Sequence, residues 1–302
     1  MLKTIILWSA TVVLLIIVIA ALTIGPSLYR VLIGMDRYES VPPVLPDRLN
    51  SVAVLIFSKT NGFRDGEAID AATTALVDIS RRRGWSAVIT DNAAVFNADQ
   101  LHRFKAIIWN NTSGDVLTTA QRAAFETYME GGGGFVGIHG AGGDPKYRWR
   151  WYVDTLIGAQ FIGHPIGPQF QLATMHIEDS THPATRGLGG TWTRTDEWYS
   201  FATNPRDKGM HVLATVDENT YSPVMSLLFL HKNLRMGDHP IVWVHCIGNG
   251  RVFYSAIGHA AGTYRELKHI QLLEGGISWA AGLDGTGCKD DLRSAAAASP
   301  DK

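Results

Sequence analysis

The sequence Gly131–Gly143, GGGGFVGIHGAGG, decides how the chain is expected to fold. A run of glycines leads into Phe135–Ile138, an apolar segment of strand length, and His139 follows it directly. The small residues around His139 allow a sharp turn in which the histidine backbone can be strained. The stretch therefore predicts an elbow at the end of a strand, from which the His139 imidazole projects as a base, a ligand or a donor. The alternative is a tight turn whose histidine makes only structural hydrogen bonds.

Upstream of the elbow, apolar runs of strand length alternate with segments of helical periodicity. The predicted strands are Ser51–Ser58, Trp85–Thr90, Ala106–Trp109 and Phe135–Ile138, and the predicted helices are Glu67–Arg83, Ala98–Phe104 and Leu117–Met129. This alternation is typical of an α/β fold with a mainly parallel sheet and helices on both faces. Ligands of such sheets bind beyond the carboxyl ends of the strands. We therefore expect Arg64, Asn110–Asp115 and His139 to share one crevice.

Downstream of the elbow the pattern is less regular. The segment Trp192–Tyr199 combines acidic and aromatic side chains, and the loop Ile257–Ala260 carries His259. The predicted strands here are Gln169–Glu178, His211–Val216, Pro240–Ile247 and Gly250–Ala256, and the last helix is Arg265–Ala281. Because the loop with His259 leaves a late strand, we expect His259 at the same sheet edge as His139.

Two imidazoles at one sheet edge can share proton transfer, or they can hold a metal ion together with a carboxylate. His139, His259 and Glu197 are the predicted catalytic residues. Trp198 and Tyr199 would enclose the Glu197 carboxyl, raise its pKa and suit it to general acid chemistry. The sequence has no H-x-x-x-H spacing, so a divalent metal ion is left open as a cofactor. The candidate ligands are His139, His259, Glu197, Asp196 and His164.

Several polar and aromatic residues near the predicted crevice are candidates for substrate binding. They are Arg64, Gly140, Asp144, Asp196, Trp198, Tyr199 and His239. Arg64 follows the first strand and could clamp a hydroxyl or a carboxylate, although it could instead pair with Asp65. Asp196 and Glu197 could also belong to a solvated turn, and His239 could be a structural residue at the start of a strand.

The composition bounds the partners of the chain. Its 302 residues carry 27 basic and 28 acidic side chains, which gives a net charge of -1 and no basic face for nucleic acid. The 9 tryptophans and 31 glycines suit loops that bind a small polar ligand with apolar faces. The two cysteines, Cys246 and Cys288, form no disulfide framework, and a bond between them is left open. A homo-oligomer is also left open.

The first residues predict a membrane segment. Ile5–Ile24 contains no charged residue and has about 20 residues, the length of a membrane-spanning helix. The predicted organisation is an anchor in residues 1–30, a proline-containing linker in 31–50, a globular domain in 51–283 and a disordered tail in 284–302. We expect the globular domain to be membrane-anchored and outside the cytoplasm. The alternative is a signal peptide that is cleaved near Ala20, which would release a secreted protein.

Several segments, in register, carry a resemblance to a known family. They are Gly62-Phe63-Arg64, Gly137-Ile138-His139, His182-Pro183, Asp196-Glu197-Trp198-Tyr199, His239-Pro240-Ile241, Gly250–Tyr254 and Gly258-His259. From Ser51 to Gly282 the chain resembles the ThuA-like, trehalose-utilisation family, and this resemblance implies a flavodoxin-like fold of the class I glutamine amidotransferase type. The chain departs from the family pattern at Asp65, where histidine is common, and in the loop Gly140–Asp144.

The amidotransferases of this fold carry cysteine at the elbow, where this chain has His139, so thiolate attack on glutamine is disfavoured. The resemblance implies instead an enzyme that processes sugars or oxidised (keto) sugars by hydrolysis or isomerisation, with histidine acid–base chemistry. The alternative is a membrane-tethered module that binds a sugar or acts as a scaffold without turnover.

Overall fold

The structure is a computed structural model that describes residues 2–227 and 230–288. Within the first helix, the described side chains are those of residues 8, 11–23, 25, 28 and 29. Across these described parts, no helix is both long enough and apolar enough to cross a membrane. The predicted anchor at Ile5–Ile24 is therefore not supported. Part of Ile5–Ile24 lies outside the described side chains.

The described part of the chain contains five α-helices and thirteen strands. The helices are α1 (Leu2–Leu32), α2 (Gly66–Arg83), α3 (Ala98–Leu101), α4 (Thr119–Glu130) and α5 (Leu267–Ala280). The strands are β1 (Ala53–Phe57), β2 (Ser86–Thr90), β3 (Ala106–Asn110), β4 (Gly134–Ile138), β5 (Phe161–Gly163), β6 (Phe170–Ile177), β7 (Thr191–Glu197), β8 (Ser200–Phe201), β9 (His211–Val216), β10 (Val224–Leu227), β11 (Leu230–Asn233), β12 (Pro240–Ile247) and β13 (Gly250–Ser255). From β1 to β4 these bounds agree with the predicted elements to within a few residues.

Among the described strands, nine form one central sheet in the order β2-β1-β3-β4-β13-β12-β9-β6-β7. The strands from β2 to β13 in this order are parallel to one another, as the predicted α/β fold requires. The strands from β12 to β7 extend the sheet through antiparallel pairs. The predicted α/β class with a large, mostly parallel central sheet is therefore confirmed, while the antiparallel extension is a feature that the sequence does not predict.

Two adjacent residues of β3 show that helices cover both faces of the parallel strands. Asn110 donates from Nδ2 to the carbonyl oxygen of Ile69 in α2, at 3.0 Å. Trp109 instead stacks its ring on Phe125 of α4, with the centroids 5.9 Å apart. Because neighbouring strand residues point to opposite faces, α2 and α4 lie on opposite sides of the sheet.

The core lies along the central parallel strands. Every residue of β1, β3 and β4 is buried, which explains the uninterrupted apolar runs that predict these strands. The largest fully buried side chains include Trp109, Trp198 and Trp243. Burying a large apolar side chain contributes roughly 1.5–3 kcal/mol, so these positions stabilise the fold.

The predicted elbow forms at the carboxyl end of β4. In the parallel register, Ile138 pairs with Asn110 of β3 and with Ser255 of β13, so the residues that follow these strands meet at one edge. His139 comes next and begins a short 3₁₀ turn with φ of 42°. This is the left-handed region that a residue with a side chain rarely adopts. The predicted strained turn at His139 is confirmed.

The segment Trp192–Tyr199, for which the sequence predicts no regular element, contains β7 and leads into β8. β7 lies at one edge of the sheet. Its threonines are exposed and alternate with buried Trp192, Arg194 and Asp196. Two of these buried side chains are charged. The sequence therefore lacks the alternation of apolar and polar residues that would predict this strand.

The proline-containing segment before β1 packs on the domain. Glu39 forms an ion pair with Lys59 and accepts a hydrogen bond from the Ala93 backbone N–H at 3.0 Å. Leu45 is buried in the same core as the sheet. This segment is therefore irregular in conformation but fixed by contacts with the globular domain.

The end of the described chain is also held. Cys288 is buried and forms a disulfide with Cys246 of β12, with the Cα atoms 5.7 Å apart. Asp284 forms an ion pair with Arg186, with its Oδ2 2.9 Å from Nη2 of the guanidinium. Residues 284–288 of the predicted disordered tail thus contact the domain, and residues 289–302 lie outside the described residues.

Candidate functional site

His139 is fixed by the strands on either side of its elbow. Its Nδ1 lies 2.7 Å from the carbonyl oxygen of Ala256, which follows β13. A carbonyl can only accept, so Nδ1 carries a hydrogen and donates it. Tyr254 donates from its hydroxyl to the His139 carbonyl at 3.0 Å, and the ring of Tyr199 packs against the imidazole. The Nε2 atom of His139 is therefore held in one direction.

Glu197 reaches the same place from the antiparallel half of the sheet. It is the last residue of β7, where it pairs with Phe170 of β6, and its side chain is 2% exposed. Its Oε1 accepts a hydrogen bond from Gln169 Nε2 and lies 3.2 Å from His164 Nδ1. These contacts leave Oε2 facing His139.

His259 lies in the loop after β13, and a buried carboxylate holds that loop. Asp196 accepts from the backbone N–H groups of Gly258 at 3.1 Å and His259 at 3.3 Å. Arg194 lies 3.1 Å from the same carboxylate and balances its charge. On the other side, His259 Nε2 lies 3.4 Å from the Asp65 carboxylate. Nδ1 of His259 is thereby turned towards Glu197.

Three basic atoms converge as a result, and we call His139, Glu197 and His259 the triad. His139 Nε2 and His259 Nδ1 lie 3.1 Å apart. Glu197 Oε2 lies 3.3 Å from His139 Nε2 and 3.1 Å from His259 Nδ1. In the described part of the chain, this is the one group of histidines, cysteines and carboxylates close enough to hold a metal ion. The structure thus brings together the three residues that the sequence singles out as catalytic.

The electrostatics of the triad differ from the sequence-based expectation. Burial acts to raise the pKa of Glu197, but hydrogen bonds with His139 and His259 outweigh it and hold that pKa well below its usual range. The prediction that aromatic enclosure raises this pKa is therefore wrong, because two imidazoles stabilise the carboxylate. Burial acts to lower the pKa of His259, yet the Glu197 hydrogen bond and the nearby carboxylates raise it overall. Glu197 is an ionised acceptor rather than a general acid.

Two exposed aromatic rings stand beside the triad. Phe63 is 50% exposed and stacks on the His259 ring with centroids 6.4 Å apart. Phe170 is 42% exposed and meets the same ring edge-on at 5.2 Å. We call Phe63 and Phe170 the aromatic rim. Large exposed apolar side chains next to polar groups are typical of binding surfaces.

Four of the predicted substrate-binding residues contact other groups of the protein. Trp198 is buried and donates from Nε1 to the carbonyl of Gln171 at 2.8 Å. His239 is buried between Glu218 and the Tyr199 carbonyl. Asp196 holds the His259 loop, and the Tyr199 ring packs on His139, as described above. The side-chain polar groups of Trp198, His239 and Asp196 are hydrogen-bonded within the protein.

The other three predicted substrate-binding residues contact groups that do not belong to the triad. The exposed Arg64 reaches towards Ser58 O at 3.4 Å. Gly140 donates its N–H to Asn111 Oδ1 at 3.3 Å. Asp144 accepts from the Lys146 N–H at 2.7 Å, and burial raises the pKa of Asp144. The contacts described here join these three residues to groups outside the triad.

Asp65, Gln169 and the aromatic rim are parts of the site that the sequence does not reveal. Asp65 caps α2 by accepting from the Ala68 N–H, and its other oxygen faces His259. Its position after β1, at the same sheet edge, is the signal that could have identified it. No pattern in the sequence marks Gln169, Phe63 or Phe170, because their place depends on the path of two loops.

Comparisons with known proteins agree with this fold. The ThuA family model, described as trehalose utilisation, matches residues 53–280. A solved ThuA-like protein from Bacteroides uniformis is 28% identical, with a TM-score of 0.63, and the match covers 80% of this chain and 95% of that one. A ThuA-like protein from Parabacteroides merdae is 18% identical, with a TM-score of 0.55 and coverage of 76% and 90%, and shows likeness of fold. No curated protein matches the chain.

Proposed function

Because the chain belongs to the ThuA, trehalose-utilisation family, we propose that it is an enzyme that processes a carbohydrate at the triad. The observation that carries the proposal is the convergence of His139 Nε2, Glu197 Oε2 and His259 Nδ1 at the carboxyl ends of the parallel strands. Ligands of open α/β sheets bind at this edge. The aromatic rim lies beside it.

The triad sets one carboxylate against two imidazoles. Glu197 Oε2 lies 3.3 Å from His139 Nε2 and 3.1 Å from His259 Nδ1, and these contacts hold the pKa of Glu197 low. Glu197 and the nearby Asp65 also raise the pKa of His259, which favours a positive charge on that ring. The site therefore favours a positive charge on His259 beside the His139 imidazole.

This combination suits the isomerisation or hydrolysis of an oxidised (keto) sugar. When the proton next to a sugar carbonyl is removed, negative charge develops on the carbonyl oxygen. A fixed cation stabilises that oxygen, and a neighbouring imidazole takes the proton. The triad holds both groups within 3.3 Å of one another.

The aromatic rim supports a sugar as the substrate. The C–H face of a sugar ring is apolar and packs on aromatic rings, while its hydroxyls need polar partners. Phe63 and Phe170 offer two ring surfaces next to His259, and the side chain of His164 is 23% exposed nearby. One face of a sugar could therefore lie on the rim while its reacting carbon faces the triad.

The test is turnover of a keto derivative of trehalose by the purified full chain, followed by nuclear magnetic resonance of the sugar. We expect conversion by the parent protein and its loss in His139→Ala. The rival function is a sugar-binding or scaffold module, which would bind the same sugar in calorimetry without converting it. If the parent binds the sugar but does not convert it, the enzyme hypothesis is rejected in favour of the binding module.

We further propose that the domain works outside the cytoplasm. The disulfide between Cys246 and Cys288 supports this, since disulfides persist in oxidising compartments. Cell fractionation is the test, and we expect the oxidised chain in the extracytoplasmic fraction. Recovery of the reduced chain from the cytoplasm would contradict the proposal. The same experiment separates an anchored form from a secreted form that begins near Ala21.

A further inference from the structure

We infer that the triad binds a divalent transition-metal ion such as zinc, an inference that rests on the proposed function of the same site. Its three donor atoms lie 3.1, 3.1 and 3.3 Å apart. Ligands held about 2.0–2.1 Å from a tetrahedral ion are roughly 3.3–3.4 Å from one another. Neighbouring ligands of an octahedral ion at the same bond length are about 3.0 Å apart. The observed separations fall between these values, so one ion could contact all three atoms without rearrangement.

The outer partners of the three ligands point to the same conclusion independently of the spacing. Metal-binding imidazoles usually donate their other N–H to a carbonyl or carboxylate, and ligating carboxylates are themselves hydrogen-bonded. Each member of the triad has such a partner. The pairs are His139 with Ala256, His259 with Asp65, and Glu197 with Gln169 and His164. His139 is held at Nδ1 and presents Nε2 to the centre of the triad. His259 is held at Nε2 and presents Nδ1 to the same centre.

The donor set and the local charge select the class of ion. Imidazole nitrogen suits zinc and other first-row transition metals, whereas calcium and magnesium prefer oxygen ligands. The carboxylates of Glu197 and Asp65 balance the charge of a dication. The nearby Asp196 does not take part, because Arg194 and two backbone N–H groups occupy it.

Three protein ligands also leave a coordination position for the substrate. Structural zinc sites are closed by four protein ligands, while catalytic sites keep one position open. The side chain of His259 is 15% exposed and lies against the aromatic rim, so the centre is reached from that side. The ion would supply the cation at the sugar oxygen in place of a protonated His259, and a water at its open position would be the base in place of His139 Nε2.

The experiment uses the purified full chain, stripped with a chelator, loaded with Zn²⁺ and desalted before its metal content is measured. We expect about one ion per chain, a Zn²⁺-dependent rise in melting temperature, and a visible absorption band after loading with Co²⁺. Glu197→Gln and His259→Ala should each weaken Zn²⁺ binding by more than ~100-fold. Asp65→Asn, which alters only the partner of His259, should weaken it by about 10–100-fold.

Two matched controls separate the triad from other histidines and glutamates. His176→Ala removes an imidazole whose side chain is 51% exposed, and Glu218→Gln alters a buried glutamate that faces His239. Both should bind Zn²⁺ as the parent does. Circular dichroism checks each fold, and the partly exposed His259 gives a variant that is expected to stay folded.

The outcomes for metal and for turnover are distinguishable. Failure of the parent to take up Zn²⁺, or equal uptake by the triad variants and the controls, would overturn the metal site. If the parent takes up no Zn²⁺ but converts a keto sugar, and His139→Ala does not, the metal site is overturned while the proposed function stands. If the triad variants lose Zn²⁺ but the loaded parent converts no sugar, the metal site stands and the proposed function fails.

Discussion

Two buried clusters in this chain pair an imidazole with a glutamate, and both contact Tyr199 from different directions. In the triad, the Tyr199 ring stacks on His139 with the centroids 4.1 Å apart. In the second cluster, His239 lies 2.8 Å from the Tyr199 carbonyl oxygen and 2.9 Å from Glu218. We call this second pair the His239–Glu218 clamp. By residue type alone the two clusters look equally suited to chemistry.

Their hydrogen bonds separate them. Both ring nitrogens of His239 face acceptors, the Glu218 carboxylate and the Tyr199 carbonyl oxygen. Glu218 also accepts from the backbone N–H groups of Met236 and Gly237. The clamp therefore joins one imidazole to one carboxylate whose other contacts include the backbone. In the triad, by contrast, two imidazole nitrogens and one carboxylate oxygen converge on one point. The comparison teaches that the convergence of several donor atoms, and not the residue types, identifies the reactive cluster.

The largest expected effect is on turnover, and it tests the comparison directly. Glu197→Gln keeps the size of the side chain but removes the acceptor charge from the triad. Because positioned acid–base groups contribute on the order of 10²–10⁴-fold, we expect kcat for a keto sugar to fall by that factor. His139→Ala should do the same. Steady-state kinetics on the purified chain measures the loss.

The control is the same substitution in the clamp. Glu218→Gln should leave kcat within a few-fold of the parent, provided that the assay temperature is well below the melting temperature of this variant. A fall in kcat as large as that of Glu197→Gln would show that the two clusters form one working unit, and the comparison would break.

The second expected effect is on stability, and here the clamp should matter more. Glu218→Gln removes an almost fully buried carboxylate that faces His239 at 2.9 Å and Arg235 at 3.6 Å. Breaking a buried pair from one side costs about 3–5 kcal/mol in the free energy of unfolding. Urea denaturation of the parent and the variant measures it. As a control, Glu178→Gln breaks an exposed ion pair with Arg206 and should cost less than about 1 kcal/mol.

The third prediction concerns how the stability effect of Glu218→Gln depends on pH. Burial acts to raise the pKa of Glu218, but hydrogen bonds with His239 and two backbone N–H groups lower it from 4.5 to about 2. Arg235, 3.6 Å away, and the Tyr221 hydroxyl also face the clamp. A carboxylate whose pKa is lowered by folding contributes its stability above its unfolded pKa and loses it as the pH falls to the folded value. The stability difference between parent and Glu218→Gln should therefore be fully present at pH ~5 and shrink towards pH ~2. A difference that stays constant down to pH ~2 would contradict the ionised clamp.

The sequence predicts the parallel half of the molecule and both histidines of the triad because local signals are sufficient there. An apolar run followed by a histidine among glycines specifies the His139 elbow without any distant partner. His259 is found in the same way, since parallel strands end at a common edge. The confirmed part of the prediction thus rests on features that a few consecutive residues carry.

The remaining parts depend on partners that are distant in the sequence. The pKa of Glu197 is set by two imidazoles from other strands, so the aromatic neighbours that suggest a raised pKa mislead. Asp196, Trp198 and His239 have side chains that suit ligand binding, and only their partners in the fold show that they are used within the protein. Pairing across the antiparallel half, which brings Glu197 to the triad, is not encoded in any local pattern.

The smallest effect concerns the aromatic rim, which lies against the triad and is absent from the clamp. Phe63→Ala removes a half-exposed ring that stacks on His259, so little core packing is lost. If a sugar face packs on this ring, its loss should weaken substrate binding by ~1 kcal/mol, which is roughly a fivefold rise in KM with kcat nearly unchanged. Phe63→Trp, which keeps an aromatic face, should restore KM. Leu267→Ala, at an apolar side chain that is 86% exposed, is the matched control and should change neither constant. A fall in kcat at constant KM would mean that Phe63 acts by positioning His259, and the rim would then belong to the triad instead of the substrate surface.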